Sequence, residues 1–457
     1  MLRRIPPKNL EVPWALPLGS IEKNVEEIVM IRSCRNLWIA VLFLIIFSMA
    51  IPNPIFSKSA GTSKKNKPQR TQQTQKTQET QKTTQGGFRS DAQSAVLMDA
   101  LSGQVLYEQN PQLRIPPASF CKVLTLYLAF DALRAGQLKM DDMVTVSEKA
   151  WRIQGSKMFI KVGERVKVED LLKGIAISSG NDACIALAEH LAGSEEVFVS
   201  KMNEKANLLG MKDSQFKNSH GMPAEGQYTT AMDMAVLARS YIQNHPEALA
   251  FHSTTEYEYN KIRQYNRNTL LQKNIGVDGL KTGHVEEAGY HLAATAKRDG
   301  QRMIAVVMGC DKMRKRAPEA EALLEYGFKN FATVEAVKTG ASFGPVKVRR
   351  GKLNKLTLVA AEEGWVTVAK GKENLVSVTP DLPKFVVAPI QKNQVIAKAL
   401  IQNEGKVLRQ VNLLSPVEVQ KSILPSWPVM GAIIVGIIFI GFIWFWWRRR
   451  PKPNPLR

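Results

Sequence analysis

Val429 to Trp447, VMGAIIVGIIFIGFIWFWW, is a run of nineteen residues without a charge, and no other feature limits this chain's possible architectures so strongly. At 1.5 Å per residue, a helix of that length reaches across a hydrocarbon layer of roughly 30 Å. Aromatic side chains crowd its C-terminal edge, and Arg448, Arg449 and Arg450 follow at once. Interfacial aromatics and the preference of Lys and Arg for the cytoplasmic side put the tail inside and everything before Val429 outside. A buried core helix is the alternative reading of such a run, and the flanking arginines favour the span.

The N-terminal region points to the same compartment. Arg32 and Arg35 precede an apolar stretch from Leu37 to about Phe47, then small residues at Ser48 and Ala50. Charge, short apolar core and a small-x-small step form an export signal. Met30 is a second candidate start; cleavage fits after Ala50 or near Ser59 or Ala60, and retention as an anchor fits as well. The next segment, Thr62 to Gly87, is almost wholly Gln, Thr and Lys and has nothing to bury. The formal charge of +21 favours anionic partners. Nucleic acid is not among them, because no zinc-finger spacing or basic recognition helix accompanies the charge and export removes that partner. The four cysteines (Cys34, Cys121, Cys184, Cys310) form no C-x-x-C pair, and the six histidines show no ligand spacing. No cofactor or metal is therefore expected.

Between these ends the patterns describe two domains. SAVLMDALSGQVLYEQN reads as a hairpin about Ser102-Gly103, and YHLAATAKRDGQRMIAVVMG as another about Asp299-Gly300. CKVLTLYLAFDALRAG has helical spacing and stops at Gly136, VEDLLKGIAISSGNDACIALAEHLAG gives two helical stretches broken at Ser179-Gly180, and EAEALLEYGFKNF is a last helix. From about Val337 to Ser415 short β-rich runs (KLTLVA, WVTVAK, LVSVTP, VIAKALI) suggest a small all-β module. The expected organisation is 1–60 N-terminal extension and export signal, 61–88 linker, 89–333 an α+β domain, 334–416 the all-β domain, 417–428 linker, 429–447 transmembrane helix and 448–457 basic cytoplasmic tail.

Chemistry-bearing residues concentrate in the α+β domain. Ser119 and Lys122, in PPASFCKVLTL, stand three apart and share a face if Ser119 opens a helix. Serine needs a base to take its proton, and lysine serves only if burial or a second cation lowers its pKa. The same spacing recurs at Ser20/Lys23 and Ser214/Lys217, so the pair proves nothing alone. Ser179-Gly180-Asn181 interrupts a helical pattern, where a hydroxyl and an amide can face a cleft; an N-cap serine in an ordinary turn is the alternative. Lys281-Thr282-Gly283 precedes the second hairpin, on or beside a sheet edge. Lys281 supplies a second cation, and Gly283 lets a substrate backbone approach. Lys338-Thr339-Gly340 repeats the triplet at the domain boundary without a strand to mount it, and reads as linker.

S-x-x-K, S-G-N and K-T-G occur in that order only when Ser119 is the first element: one decoy pair precedes the export signal and the other follows S-G-N. On these motifs, and on GSKMFIKVGERVKVEDLLKGIAISSGNDACIALAEHLAGS, NSHGMPAEGQYTTAMDMA and GVDGLKTGHVEEAGY, the chain resembles the serine D-alanyl-D-alanine carboxypeptidases, the low-molecular-mass penicillin-binding proteins. The likeness runs from about Ala95 to Phe331, and the β-rich region is similar in layout to the family's C-terminal domain. It implies a β-lactamase/transpeptidase-like α+β fold: an antiparallel sheet with flanking helices and a helical subdomain. The spanning helix and the Gln/Thr linker depart from many relatives.

The resemblance implies acyl transfer on peptidoglycan stem peptides ending in D-Ala-D-Ala, and covalent capture of β-lactam antibiotics. Ser119 would be the nucleophile and Lys122 its base, with Ser179 and Asn181 relaying protons and holding the substrate amide, and Lys281 tuning the electrostatics. The oxyanion would sit between the backbone N–H groups of Ser119 and His284. Thr282 and Arg316 would take the terminal carboxylate, with Arg267 and His220 near the cleft. Cys121 stands where the family suggests another residue; it either packs into the helix's buried face or exposes the site to thiol reagents. A D,D-endopeptidase or weak β-lactamase with the same residues, and a catalytically silent wall-binding protein, are the alternatives. The expected location is the membrane, through the C-terminal helix in the lipid bilayer, with the catalytic body outside.

Overall fold

The computed structural model describes residues 88–422 and 427–450. The N-terminal extension, export signal and Gln/Thr/Lys linker up to residue 87 lie outside the described residues, as does the decoy pair Ser20/Lys23. The first domain is built on a five-stranded antiparallel sheet in the order Val105–Gln109, Ser94–Asp99, Gln301–Cys310, Gly289–Arg298, Val277–Val285. Both expected hairpins are present. The second turns through Asp299 and Gly300, each with positive φ, the combination whose twist matches that of the flanking strands.

The central strands read as continuous apolar runs because both faces of the sheet are covered. In Ser94–Asp99, Val96 and Met98 face a large helical core, while Ala95 and Leu97 face the helix Arg316–Asn330. Gln301–Cys310 divides in the same way, with Ile304, Val306 and Met308 on one side and Met303, Ala305 and Val307 on the other. The helix Cys121–Arg134 runs through the middle of the helical core and is buried on most of its circumference. That explains how it carries a lysine inward without losing its place. The expected break in the next helical segment is also there. A short helix Val168–Lys173 passes through a wide turn, Gly174–Ser178, to Ser179 in the left-handed conformation (φ 64°), and Asn181–Ala192 starts afresh.

The all-β domain has a six-stranded sheet in the order Val376–Asp381, Val395–Asn403, Lys406–Leu414, Lys355–Ala360, Ser342–Arg349, Phe385–Val387, and a ribbon of Phe331–Val337 with Gly364–Ala369. Its core is aliphatic, including Val337, Leu356, Leu358, Ile401, Val411 and Leu413. Two expected boundaries shift. The helix ends at Asn330 and its next residue already begins the ribbon, so residue 334 lies inside a strand. Val419, in the stretch expected as linker, is buried and bridges to Ile390, because an apolar residue there closes the domain's core. Thr367 ties this domain to the first: its N–H donates to Gln104 Oε1 at 2.6 Å and its carbonyl accepts from Gln104 Nε2 at 3.0 Å. Thr333 Oγ1 donates to the buried Asp99 carboxylate at 2.6 Å. Beyond residue 426, Trp427–Arg448 is one helix of mean hydropathy 2.5 over its apolar stretch, with none of that window buried.

Candidate active site

Two prolines, Pro116 and Pro117, stiffen the approach to a single 3-10 turn, Ala118–Phe120, which feeds directly into the helix Cys121–Arg134. Ser119 therefore sits at a helix entrance, half-buried, with Lys122 one turn on. Lys122 is fully buried, and its Nζ donates to Ser119 Oγ (3.1 Å), to Asn181 Oδ1 (2.8 Å) and, closely, to the carbonyl oxygen of His220. These three contacts fix the amine; in its neutral form two N–H bonds serve Asn181 and His220 and the lone pair faces Ser119. Burial holds the Lys122 pKa below that of an ordinary lysine; Cys184 and Cys121 oppose the shift and the Arg267 charge adds to it.

The left-handed backbone at Ser179 turns its side chain out of the helical path and toward Ser119, where Ser179 Oγ donates to Ser119 Oγ at 3.0 Å. Asn181 is pinned from the far side, its N–H on Ser156 O (2.7 Å) and its Nδ2 on Gln154 O (2.7 Å). That fixes which amide atom faces Lys122. Lys281 and Thr282 lie buried on the edge strand Val277–Val285. Burial, with Lys122 and Arg267 nearby, holds the Lys281 pKa well below the usual value. Gly283 eases this arrangement: a Cβ there would stand 3.2 Å from Ala118 Cβ and 3.2 Å from His291 Cδ2, a tight fit that would push the strand and the turn bearing Ser119 apart by a few tenths of an ångström.

The remaining expected residues fall at different depths. Arg316 begins its helix buried, donates to Arg267 O at 3.3 Å and stands over the Tyr290 ring. Arg267 is exposed on the rim. His284 is exposed and stacks on Tyr290 with centroids 4.0 Å apart. His220 contributes its main chain to the centre: the carbonyl binds Lys122, while the ring, with a pKa held down to about 4 by burial and by Lys122, accepts from Met222 N–H and lies 3.5 Å from Glu195. Cys121 points away from the cleft, its Sγ on Asn218 O at 3.0 Å, and burial pushes its thiol far up. With Thr125 Oγ1 on Ser219 O (2.6 Å), one face of the helix Cys121–Arg134 grips three consecutive carbonyls of the 218–220 turn.

Two carboxylates that hold the site were not anticipated. Asp182 is buried and accepts from Met158 and Phe159 N–H, both at 2.9 Å, fixing the loop beside Asn181. An acid directly ahead of the apolar run ACIALA was the available signal. Glu195 accepts from Ser219 N–H (3.0 Å) and Oγ (2.7 Å) and pairs with Lys149 (3.0 Å). In sequence it looks like an ordinary first-turn acid after the N-cap Ser194, so nothing marked it. Of the decoys, Ser214 is tied to Asp233 at 2.7 Å, and Lys338-Thr339-Gly340 forms the turn after Phe331–Val337.

Known proteins resemble this chain over most of its length. Residues 76–312 match the D-alanyl-D-alanine carboxypeptidase family, and residues 331–421 match the C-terminal domain of penicillin-binding protein 5. The chain is 44% identical over 333 residues to the D-alanyl-D-alanine carboxypeptidase DacC of Escherichia coli, covering 71% of this chain and 83% of that protein. It is 38% identical to DacA of the same organism, covering 78% and 89%. Penicillin-binding protein 5 from Haemophilus influenzae superposes with a TM-score of 0.71 at 38% identity, covering 74% of this chain and 99% of that structure. Sequence and three-dimensional likeness span the catalytic and β-rich domains together, and the chain belongs to the D-alanyl-D-alanine carboxypeptidase family.

Proposed function

We propose that Ser119 is the residue on which this D-alanyl-D-alanine carboxypeptidase forms its acyl-enzyme. The observation that carries the reading is the triangle of Ser119 Oγ with Lys122 Nζ at 3.1 Å and Ser179 Oγ at 3.0 Å, around a lysine without access to water. A neutral Lys122 takes the Oγ proton as Oγ attacks the penultimate D-Ala carbonyl. The N–H groups of Ser119 and His284 receive the oxyanion, each such donor being worth about 3–4 kcal/mol in acyl-transfer enzymes. Ser179 passes the proton to the leaving D-Ala amine, and water then hydrolyses the ester. Asn181 holds Lys122 in place; Lys281 keeps the cleft positive, and Thr282 and Arg316 take the terminal carboxylate with Arg267 behind them. Peptidoglycan stem peptides are the substrate and penicillins the covalent inhibitors.

The helix Trp427–Arg448 anchors the protein in a lipid bilayer with the catalytic body outside, and a reporter active only in the cytoplasm should work when fused after Arg457. The bonds of Thr367 and Thr333 to the catalytic domain suit the β-rich module to a rigid support. The deciding experiment is intact mass of the full chain in detergent after exposure to benzylpenicillin, followed by D-Ala release from a stem-peptide mimic. One covalent equivalent, absent in Ser119→Ala, is expected; a folded protein that takes up no label would remove Ser119 from the mechanism.

A further inference from the structure

The β-rich domain hands the chain to the helix Trp427–Arg448 at one particular spot. Ser422 donates its N–H to Arg350 O at 2.8 Å, and Lys421 bridges to Gly351. Trp427 follows five residues after Ser422, so the helix starts at most about 18 Å away. Around that exit the charge is one-sided. Residues 347–355, KVRRGKLNK, hold five cations and no acid; Lys384 and Lys421 lie in the two segments packed beside them, 384–390 and 417–422, where Glu418 is the one carboxylate. These cations are exposed, and none forms an ion pair among the described residues. Apolar side chains share the surface. The parallel pairing sets Lys347 against Phe385 and Arg349 against Val387, with Val348 between them turned into the core. Phe385 and Val387 are exposed, as are Leu353 and Val417 in the flanking turns, and the Arg349 guanidinium lies 3.6 Å from the Phe385 ring centroid. The far end of the sheet differs. Lys355–Ala360 leads away from this spot and Lys406–Leu414 returns toward it, which puts the hairpin turn at Glu404–Gly405 opposite, and there Glu404 pairs with Lys372 at 2.9 Å.

We propose that this end of the β-rich domain is a second membrane contact, which seats on the anionic phospholipid headgroups of the bilayer that holds the protein's own helix. The proposal rests on the reading of Trp427–Arg448 as a membrane span. Unpaired cations interleaved with exposed apolar tips fit the boundary between phosphates and acyl chains, where the cations meet phosphate and Phe385, Val387 and Leu353 dip below it. Each Lys or Arg at an anionic leaflet favours contact about fivefold, and the short tether keeps the patch at high effective concentration beside that leaflet, so several weak contacts are enough. A single spanning helix limits how far the body can stand from the bilayer; a second contact also fixes which way it faces. The bonds of Thr367 and Thr333 to the catalytic domain carry that orientation to the cleft at Ser119.

The test places the full chain in lipid nanodiscs of phosphatidylcholine alone or mixed with phosphatidylglycerol, and reads amine acetylation by peptide mass spectrometry. Lys352, Lys384 and Lys421 report on the patch, and the exposed Lys406 at the far turn is the internal reference. In the anionic discs the rate at the three reporters relative to Lys406 should fall about fivefold, and it should recover at high salt, where screening removes the attraction. Lys347→Glu/Arg350→Glu/Lys355→Glu keeps all three reporters and should abolish the protection. Because each ratio is taken within one preparation, unfolded protein, which labels every lysine alike, cannot imitate protection. Equal ratios in the two kinds of disc, or protection untouched by the charge reversal, overturn the contact. Protection that ignores lipid charge and grows with the number of chains per disc overturns it as well, and gives the face to a second copy. Co-elution of the chain with phosphatidylcholine discs reports the span separately: a chain that enters neither kind of disc overturns the span and the contact with it.

Discussion

Replacing Gly221 by alanine tests whether close approach of two loops builds the environment of Lys122. Gly221 has φ +85°, and a Cβ there would stand 1.8 Å from the carbonyl oxygen of Ala118, the residue before Ser119. Ordinary contact begins near 3.4 Å, so one of the two segments must move by about 1.6 Å. Both are backbone, and the turn that bears Gly221 also bears the His220 carbonyl that receives Lys122. The left-handed backbone costs about 1–2 kcal/mol for an L-residue, and forced overpacking about 1–3 kcal/mol more. Together they lower Tm by roughly 5–15 °C for a domain of this size. Displacing a catalytic group by an ångström costs on the order of 100-fold, so the acylation rate with penicillin should fall by about that factor. Gly226→Ala is the matched control, because its φ is +73° but a Cβ there meets only Lys217 Cε, at 3.5 Å. It should show the backbone cost alone and acylate at close to the normal rate. Stopped-flow acylation with a chromogenic cephalosporin and a thermal melt of each variant decide the matter. Equal effects at the two glycines would refute the reasoning.

Acylation should rise with pH through an apparent pKa below that of a free lysine, about 10.4, because burial depresses Lys122 and only its neutral form takes the Ser119 proton; a rate that climbs only above pH 10 would contradict this. His252 and His291, both buried, have pKa values lowered to about 4 by burial. The unfolded chain takes up these protons near pH 6.5 and the folded one does not, so stability falls as pH drops from about 6.5 to 4. Each contributes on the order of 2–3 kcal/mol of that loss, and urea midpoints at pH 7 and 4.5 should show it, with a smaller drop in His291→Gln. Cys121, buried and hydrogen-bonded with its thiol pushed up, should resist iodoacetamide in the folded protein and react only on unfolding, as mass spectrometry of the labelled peptide would show.

Local patterns carried a large part of the fold into the sequence. Asp299-Gly300 between two apolar runs specifies a tight hairpin because each residue tolerates positive φ, and the break at Ser179-Gly180 was visible because polar residues interrupt a helical period. The order of S-x-x-K, S-G-N and K-T-G separated Ser119 from its decoys before any distance was known, since order along the chain is itself sequence information. The long apolar helix Trp427–Arg448 was legible for a simpler reason: nineteen uncharged residues in a row leave little but a helix of that length.

Only the tertiary structure decided how those pieces become a site. Two acceptors of Lys122 lie 59 and 98 residues away, and one of them is a main-chain carbonyl, which every residue has and no composition reveals. The anchoring acids Asp182 and Glu195 matter through what they fold against, and Glu195 looks in sequence like any first-turn glutamate. The same holds for His220, expected only near the cleft and found to meet Lys122 through its main-chain carbonyl, and for Val419, which reads as linker until the core it closes exists. Sequence determines which side chains are present and the short-range geometry their backbones prefer. The depressed lysine is a property of burial and of contacts across long sequence separations, and it comes into being only when the chain has packed.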